Sequence, residues 1–158
     1  MSTTAQTHIP LPKAVPAANR AMVALEAAIR ETELPAVTRE LVKIRASQIN
    51  GCGFCLDMHH KDATAAGETF ERLYMLSAWR EATVYTPAER AALDLTEAIT
   101  NISLDHVPAE VEAEARAHYD DETFAALVYC IVAINAWNRL AIANHTEPGH
   151  YQPGDQKG

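Results

Sequence analysis

The chain has 158 residues, 48% of them hydrophobic, with 13 Lys and Arg against 21 Asp and Glu for a formal net charge of -8. That length suits one domain with a core burying about 70% of the unfolded chain's surface, and the composition is globular rather than disordered. No basic cluster and no apolar run near 18 residues stands out, which argues against nucleic acid, anionic membrane surfaces and a membrane span.

The first residues, MSTTAQTHIPLPKAVP, are polar and carry three prolines. They lack the charged start and apolar stretch of a secretory signal, so a cytoplasmic location is expected. Positions 1–15 and 146–158, rich in Pro, Gly and polar residues, read as tails that are flexible or laid along a partner subunit. Positions 16–145 read as one helical domain.

Strand signals are almost absent, while alanine is abundant and helical patterns recur throughout. Residues 17–31 place Met22, Leu25 and Ile29 on one stripe. Residues 35–49 open on a proline suited to a first helical turn, with an apolar stripe of Val37, Leu41 and Ile44. The next helix spans 51–66, with Asn50 expected as its N-cap and Gly67 as its stop. A short helix covers 69–79, where Tyr74, Met75 and Trp79 read as core. Thr86-Pro87-Ala88-Glu89 reads as a capping box opening a helix that carries Leu93, Leu95, Ile99 and Ile102. A shorter helix starts at Pro108, and a long apolar one runs from about 121 to 144. The expected fold is therefore all-α, a single-domain bundle of about seven helices with short connections.

The chemistry concentrates in SQINGCGFCLDMHH, residues 47–60. At about 100° per residue, Cys55 to His59 is one turn plus about 40°, and Cys52 to His59 is about 20° off two turns. Cys52, Cys55 and His59 thus share one face, while His60 points toward the side of Leu56 and Ala63. Helical residues three apart approach the Cα separation a disulfide accepts, about 4.4–6.8 Å, so the pair can open and close with little backbone movement. Its place in the first turn, at the positive end of the helix dipole, favours thiolate over thiol. In a reducing compartment a close cysteine pair points to catalysis or metal binding rather than a permanent cross-link, and an odd count of 3 cysteines agrees.

Glu40 falls within the stripe of the preceding helix, three after Val37 and four before Ile44, with Ser47 on the same line. A carboxylate facing a core needs a partner. A helical hairpin about Asn50-Gly51 brings Glu40 toward His59, and a Glu–His–Cys chain would supply a base for the thiol and a proton for a leaving oxygen.

Glu40, Cys52, Cys55 and His59 at this spacing, with the flanking words SQINGC and CLDMHHKDA, resemble the AhpD-like alkylhydroperoxidases of the carboxymuconolactone decarboxylase superfamily. The closing AWNRLAIA fits the single-domain peroxidase-related branch. The resemblance implies that Cys55 is the peroxidatic thiolate, that Cys52 resolves the resulting sulfenic acid as a disulfide, and that His59 and Glu40 manage protons. It implies a hydroperoxide substrate, an external thiol or disulfide reductant, and a homo-oligomer, hexamer or trimer. No bound cofactor is expected, because the sulfur atoms carry the electrons. Better-known members carry a histidine just before the second cysteine where this chain has Phe54, which removes a link from the proton relay.

Other readings remain beside this one. The chain fits a general disulfide oxidoreductase or redox sensor without peroxide turnover, or a decarboxylase like the namesake of the superfamily. Cys52, Cys55 and His59 also supply three of the four ligands of a structural zinc, the mark of a non-catalytic assembly module. Cys130, inside LVYCIVAIN, reads as a buried inert thiol. Asn135, Trp137, Asn138 and Arg139 read as helix–helix or subunit contacts, and His106, His118, His145 and His150 as surface or turn residues.

Overall fold

The computed structural model describes residues 10–155. Among the described residues the chain is all-α, with α1 Leu11–Ala14, α2 Pro16–Arg30, α3 Ala36–Asn50, α4 Gly53–Ala65, α5 Phe70–Met75, α6 Pro87–Thr100, α7 Ile102–Asp105, α8 Ala109–His118 and α9 Asp121–Ala143. The seven expected helices are present, and α1 and α7 add a single turn each. The helix expected over 69–79 ends at Met75 and tightens into a 3-10 turn over Leu76–Ala78.

Helix α3 is the centre of the bundle, packing against α4, α6 and α9. Thr38, Leu41, Val42, Lys43, Ile44, Ala46 and Ser47 are all buried on it. Contact on so many sides explains why a single-stripe pattern describes α3 poorly. Val37, expected in that stripe, is 44% exposed, because Pro35, Ala36 and Val37 all lie in an exposed first turn. Pro35 is the N-cap rather than the first helical residue, as Pro108 is for α8. Its backbone is already extended, which suits the entry to a helix and wastes no N–H.

Two apolar clusters build the core. One joins Ile29, Val42, Leu95, Phe124, Leu127 and Ile131 across α2, α3, α6 and α9. The other gathers Leu41, Ile44, Leu73, Leu76, Trp79 and Leu93 around the α3–α6 contact. Tyr74, expected in the core, is 76% exposed and stacks on Phe70 at 5.9 Å between ring centroids. Ile102 is 50% exposed, because α6 ends at Thr100 and the chain turns before continuing the stripe.

The capping box on α6 is complete: Thr86 accepts from the Glu89 N–H and Glu89 accepts from the Thr86 N–H. Arg72 donates to both Glu89 oxygens, at 2.6 and 3.3 Å, tying α5 to the start of α6. Inside the bundle, Lys43 and Glu26 form a buried ion pair at 2.6 Å. Glu26 Oε1 has no hydrogen-bond partner.

Helix α9 is long and apolar enough, by length and composition, to cross a membrane, which the sequence reading did not anticipate. Here its Phe124, Leu127, Cys130, Ile131, Ile134 and Asn138 are buried. Tyr129, Val132, Leu140 and Ile142 face outward, each between 38% and 58% exposed.

Positions 1–9 and 156–158, parts of the two expected tails, lie outside the described residues. The rest of both segments makes defined contacts. The Leu11 N–H donates to Asn144 Oδ1 at 2.9 Å. After α9 the chain returns over α4, where Lys61 Nζ donates to Tyr151 O at 2.9 Å and the Gly149 N–H to Asp57 Oδ2 at 2.9 Å. Tyr151 is buried, and its hydroxyl donates to Asp62 Oδ1 at 2.7 Å.

Candidate functional site

The turn that joins α3 to α4 sets the site. Gly51 adopts a left-handed conformation (φ 69°) at the end of α3, which a side chain would strain. This lets the Cys52 N–H return to Ser47 O at 3.1 Å. Cys52 is then extended and serves as the N-cap of α4, its Sγ accepting from the Cys55 N–H at 3.4 Å. A sulfur thus occupies the position usually held by a Ser, Thr or Asp oxygen. Asn50, expected in that role, is instead the last residue of α3. Its amide is taken by α9, donating to the Oδ1 atoms of Asn135 and Asn138, both at 2.9 Å. Gly67 stops α4 as expected, with φ 96° and its N–H on Thr64 O at 3.0 Å.

Cys52 and Cys55 are free thiols, 1% and 2% exposed. They form a small cluster with Ala46 of α3 and Ile134 of α9, edged by Phe54, Trp137 and Ala141. Burial, followed by the hydrogen bond with Cys52, pushes the Cys55 thiol up to about 12, and a hydrogen bond from Asn138 pulls the other way. The depressed thiol expected from the helix dipole is therefore not found at Cys55: removal from water outweighs the dipole.

Asn138 lies between Ile134 and Ala141 on the α9 face that meets the thiols. It is fully buried, and Nδ2 donates to Ser47 Oγ at 2.9 Å while Oδ1 accepts from Asn50. Ser47 in turn donates to Lys43 O at 2.7 Å. The sequence reading took Asn138 for a helix-contact residue. The available signal was an amide sharing a helical face with Ile134 and Ala141.

Glu40 and His59 meet across the α3–α4 hairpin, with His59 Nδ1 2.9 Å from Glu40 Oε2. His59 is buried and Glu40 half-buried. Burial acts to raise the Glu40 carboxyl, but the bond and charge of His59, with Lys43 and Arg39, hold it below its ordinary value. His60 turns away, bonded through Nδ1 to Leu56 O at 2.8 Å. The metal-capable donors that converge here are those of Glu40, His59 and Asp62, within 4.8 Å of one another; neither sulfur belongs to that group. A zinc held by Cys52, Cys55 and His59 therefore finds no support in this arrangement. Asp62 and its partner Tyr151 went unnoticed in the sequence, because nothing in the local pattern links position 151 to α4.

A cavity of about 350 Å³ opens beside Cys52, lined by that N-cap residue, by Gly53 and Phe54 of α4, by Ala141 and Ile142 of α9, and by His145, Thr146, Glu147 and Pro148 of the segment that follows. Cys130 lies elsewhere, fully buried, its thiol pushed by burial up to about 12.

Residues 16–98 match the carboxymuconolactone decarboxylase family. The chain belongs to this family. It is 47% identical over 128 residues to the uncharacterized protein YdfG of Bacillus subtilis, covering 81% of this chain and 87% of that one. Its fold is similar to that of ATU0492 from Agrobacterium tumefaciens, a protein of unknown function with a provisional AhpD antioxidant-defence assignment. That pair has a TM-score of 0.86 and 38% identity, over 92% of this chain and all (100%) of that one. The debrominase Bmp8 shares the fold at a TM-score of 0.78 and 21% identity, over 87% of this chain and 74% of its own. The AhpD-like fold expected from the sequence is thus the one observed.

Proposed function

We propose that this chain is a thiol-dependent peroxidase that reduces organic hydroperoxides or hydrogen peroxide through a Cys52–Cys55 dithiol/disulfide cycle. The observation that carries the reading is the juxtaposition of two free thiols at the start of α4 with the Glu40–His59 pair on the adjoining hairpin.

One thiolate attacks the peroxide, the O–O bond breaks, and the alcohol or water departs with a proton. The sulfenic acid left behind is attacked by the second sulfur, which expels water and closes the disulfide. His59, oriented by Glu40, moves the protons. Their direct contact takes the place of the relay histidine that Phe54 does not provide. An external thiol or disulfide reductant returns the pair to the dithiol state, a cycle suited to the reducing cytoplasm. The outward apolar residues of α9 support self-assembly into a homo-oligomer.

Stopped-flow oxidation of the reduced protein by cumene hydroperoxide tests this reading. A rate no faster than that of free cysteine removes it. The burial of Cys55 favours one second reading, a disulfide oxidoreductase without peroxide turnover, which the same experiment separates.

A further inference from the structure

Both sulfurs are buried, Cys52 at 1% and Cys55 at 2% exposure, so neither meets a reagent freely while every element stays in place. Some part of the chain must move before the pair reacts, and the local contacts indicate which. We propose that residues 145–151 form a strap that decides which reagents reach the Cys52–Cys55 pair. Fastened, it admits small ones; a larger thiol or disulfide enters only after it lifts from α4.

The walls around the pair differ in how firmly they are held. Helices α3 and α9 pack Ala46 and Ile134 directly against the sulfurs. Residues 145–148 complete the wall of the cavity beside Cys52 and lie in no helix. His145, Thr146 and Glu147 are polar, so exposing this wall to water costs less than parting α4 from α9.

The fastening is light. The Gly149 N–H donates to Asp57 Oδ2 at 2.9 Å, Lys61 Nζ to Tyr151 O at 2.9 Å, and the Tyr151 hydroxyl to Asp62 Oδ1 at 2.7 Å. Among the described residues after α9, Tyr151 alone is buried. A segment with so few contacts opens well before the bundle does.

Two residues serve as joints. His145 and Gly149 both have left-handed backbones, with φ of 51° and 100°. At His145 the chain leaves α9, its N–H on Ile142 O at 3.1 Å and the Thr146 N–H on Ala141 O at 3.0 Å. A Cβ at Gly149 would meet nothing within 4 Å, so glycine serves the backbone conformation there and not a close approach.

The strap also reaches both halves of the site. Pro148 shares the cavity wall with Cys52, and a Cβ on Gly53 would be 3.7 Å from its ring. Tyr151, three residues on, holds Asp62, whose carboxylate converges with Glu40 and His59. Lifting the strap therefore opens the sulfur end and releases Asp62 at the Glu40–His59 end in one motion.

The test follows loss of free thiol in peptide 46–61, which carries both sulfurs, in the full reduced chain. Methyl methanethiosulfonate and the methanethiosulfonate spin label are uncharged, share one reactive group and differ in size. Cys130, fully buried, reports opening of the bundle. With rates taken relative to free cysteine, the small reagent should react about tenfold or more faster than the large one in the parent chain. Gly149→Pro forbids the left-handed backbone and removes the N–H held by Asp57; it and Tyr151→Ala should each speed the large reagent by about tenfold or more and the small one by less than about threefold, with Cys130 still unreacted. Gly154→Pro, beyond the strap, should match the parent. Equal rates for the two reagents in the parent, no acceleration or equal acceleration of both in the strap variants, or the same acceleration in Gly154→Pro overturns the proposal. Cys130 reacting in step with the pair in the parent also overturns it, because access would then come through the bundle. No peroxide is used, so the strap and the peroxidase reading fail or stand separately.

Discussion

His59 Nδ1 and Glu40 Oε2 are 2.9 Å apart, joining the two arms of the α3–α4 hairpin. The carboxyl is held below its ordinary value despite its burial. An ionised carboxylate only accepts hydrogen bonds, so Nδ1 carries the proton and Nε2 is left to exchange one. Glu40→Gln keeps the shape and removes the charge. It should slow peroxide consumption about 100-fold or more, as followed by stopped flow across pH 5–9, with little change in Tm. An unchanged rate would remove Glu40 from the proton path.

Asn138 serves two purposes, as a buried helix contact and as a donor to the Cys55 sulfur. Asn138→Leu should push the Cys55 thiol still higher and slow disulfide closure, because the donor that favours thiolate is gone. Thiolate absorbance at 240 nm against pH reads the first effect, and thiol loss after one peroxide equivalent reads the second. Asn50 keeps its bond to Asn135 and Ser47 its bond to Lys43 O, but losing the two bonds to Asn138 should also cost about 1–3 kcal/mol. A stability loss without any shift of the thiol titration would leave Asn138 a packing residue only.

Glu89 and Glu97 make the fold sensitive to acid. Burial acts to raise both carboxyls. It is outweighed at Glu89 by Arg72 and the Thr86 N–H, and at Glu97 by Trp79, Arg80 and Arg45, so both lie below their ordinary value. A carboxyl depressed in the fold contributes stability that is complete above its unfolded pKa and lost as pH falls through the folded one. Urea midpoints should therefore decline from about pH 4.5 downward. Glu89→Gln should be less stable than the parent at pH 7 and show a shallower acid decline. Parallel curves would deny Glu89 that role.

The Lys43–Glu26 pair offers a test of core electrostatics. Lys43→Met leaves the Glu26 carboxyl buried without its cation and should cost about 3–5 kcal/mol. Glu26→Gln combined with Lys43→Met should recover much of that loss. Denaturant unfolding of the single and double variants compares them, and additive losses would mean that the two side chains act independently.

Tyr151 ties the C-terminal segment to Asp62. Tyr151→Phe removes one hydrogen bond and leaves the ring in place. Amide exchange at 149–152 should accelerate by about fivefold, corresponding to roughly 1 kcal/mol, while exchange in α3 stays unchanged. Equal protection in both proteins would show that the segment is held by its backbone contacts alone.

The helices were legible wherever local chemistry decides them. Thr86-Pro87-Ala88-Glu89 carries its own capping geometry, and Gly67 carries its own stop. The meeting of Glu40 with His59 was expected given a helical hairpin about Asn50-Gly51, and the turn at Gly51 supplies it. Features that depend on a third element were not legible. Val37 fits the apolar stripe of α3, but the neighbours that would cover it do not reach the first turn. Asn50 has the chemistry of an N-cap, but α9 claims its amide, and Cys52 takes the position. The Cys55 thiol sits at the favourable end of a helix dipole, yet Ala46 and Ile134 withdraw it from water, a contribution invisible until helices α3 and α9 are placed around it. Asp62 and Tyr151 stand 89 residues apart, joined only by the path the chain takes after α9.

That return path has a practical side. Residues 148–151 lie along α4, and Pro148 shares a cavity wall with Cys52, so whatever is fused or trimmed close behind them acts on the reactive region itself. An affinity handle at that end belongs on a cleavable linker, and rates measured before and after its removal become a direct reading of how far the segment governs entry.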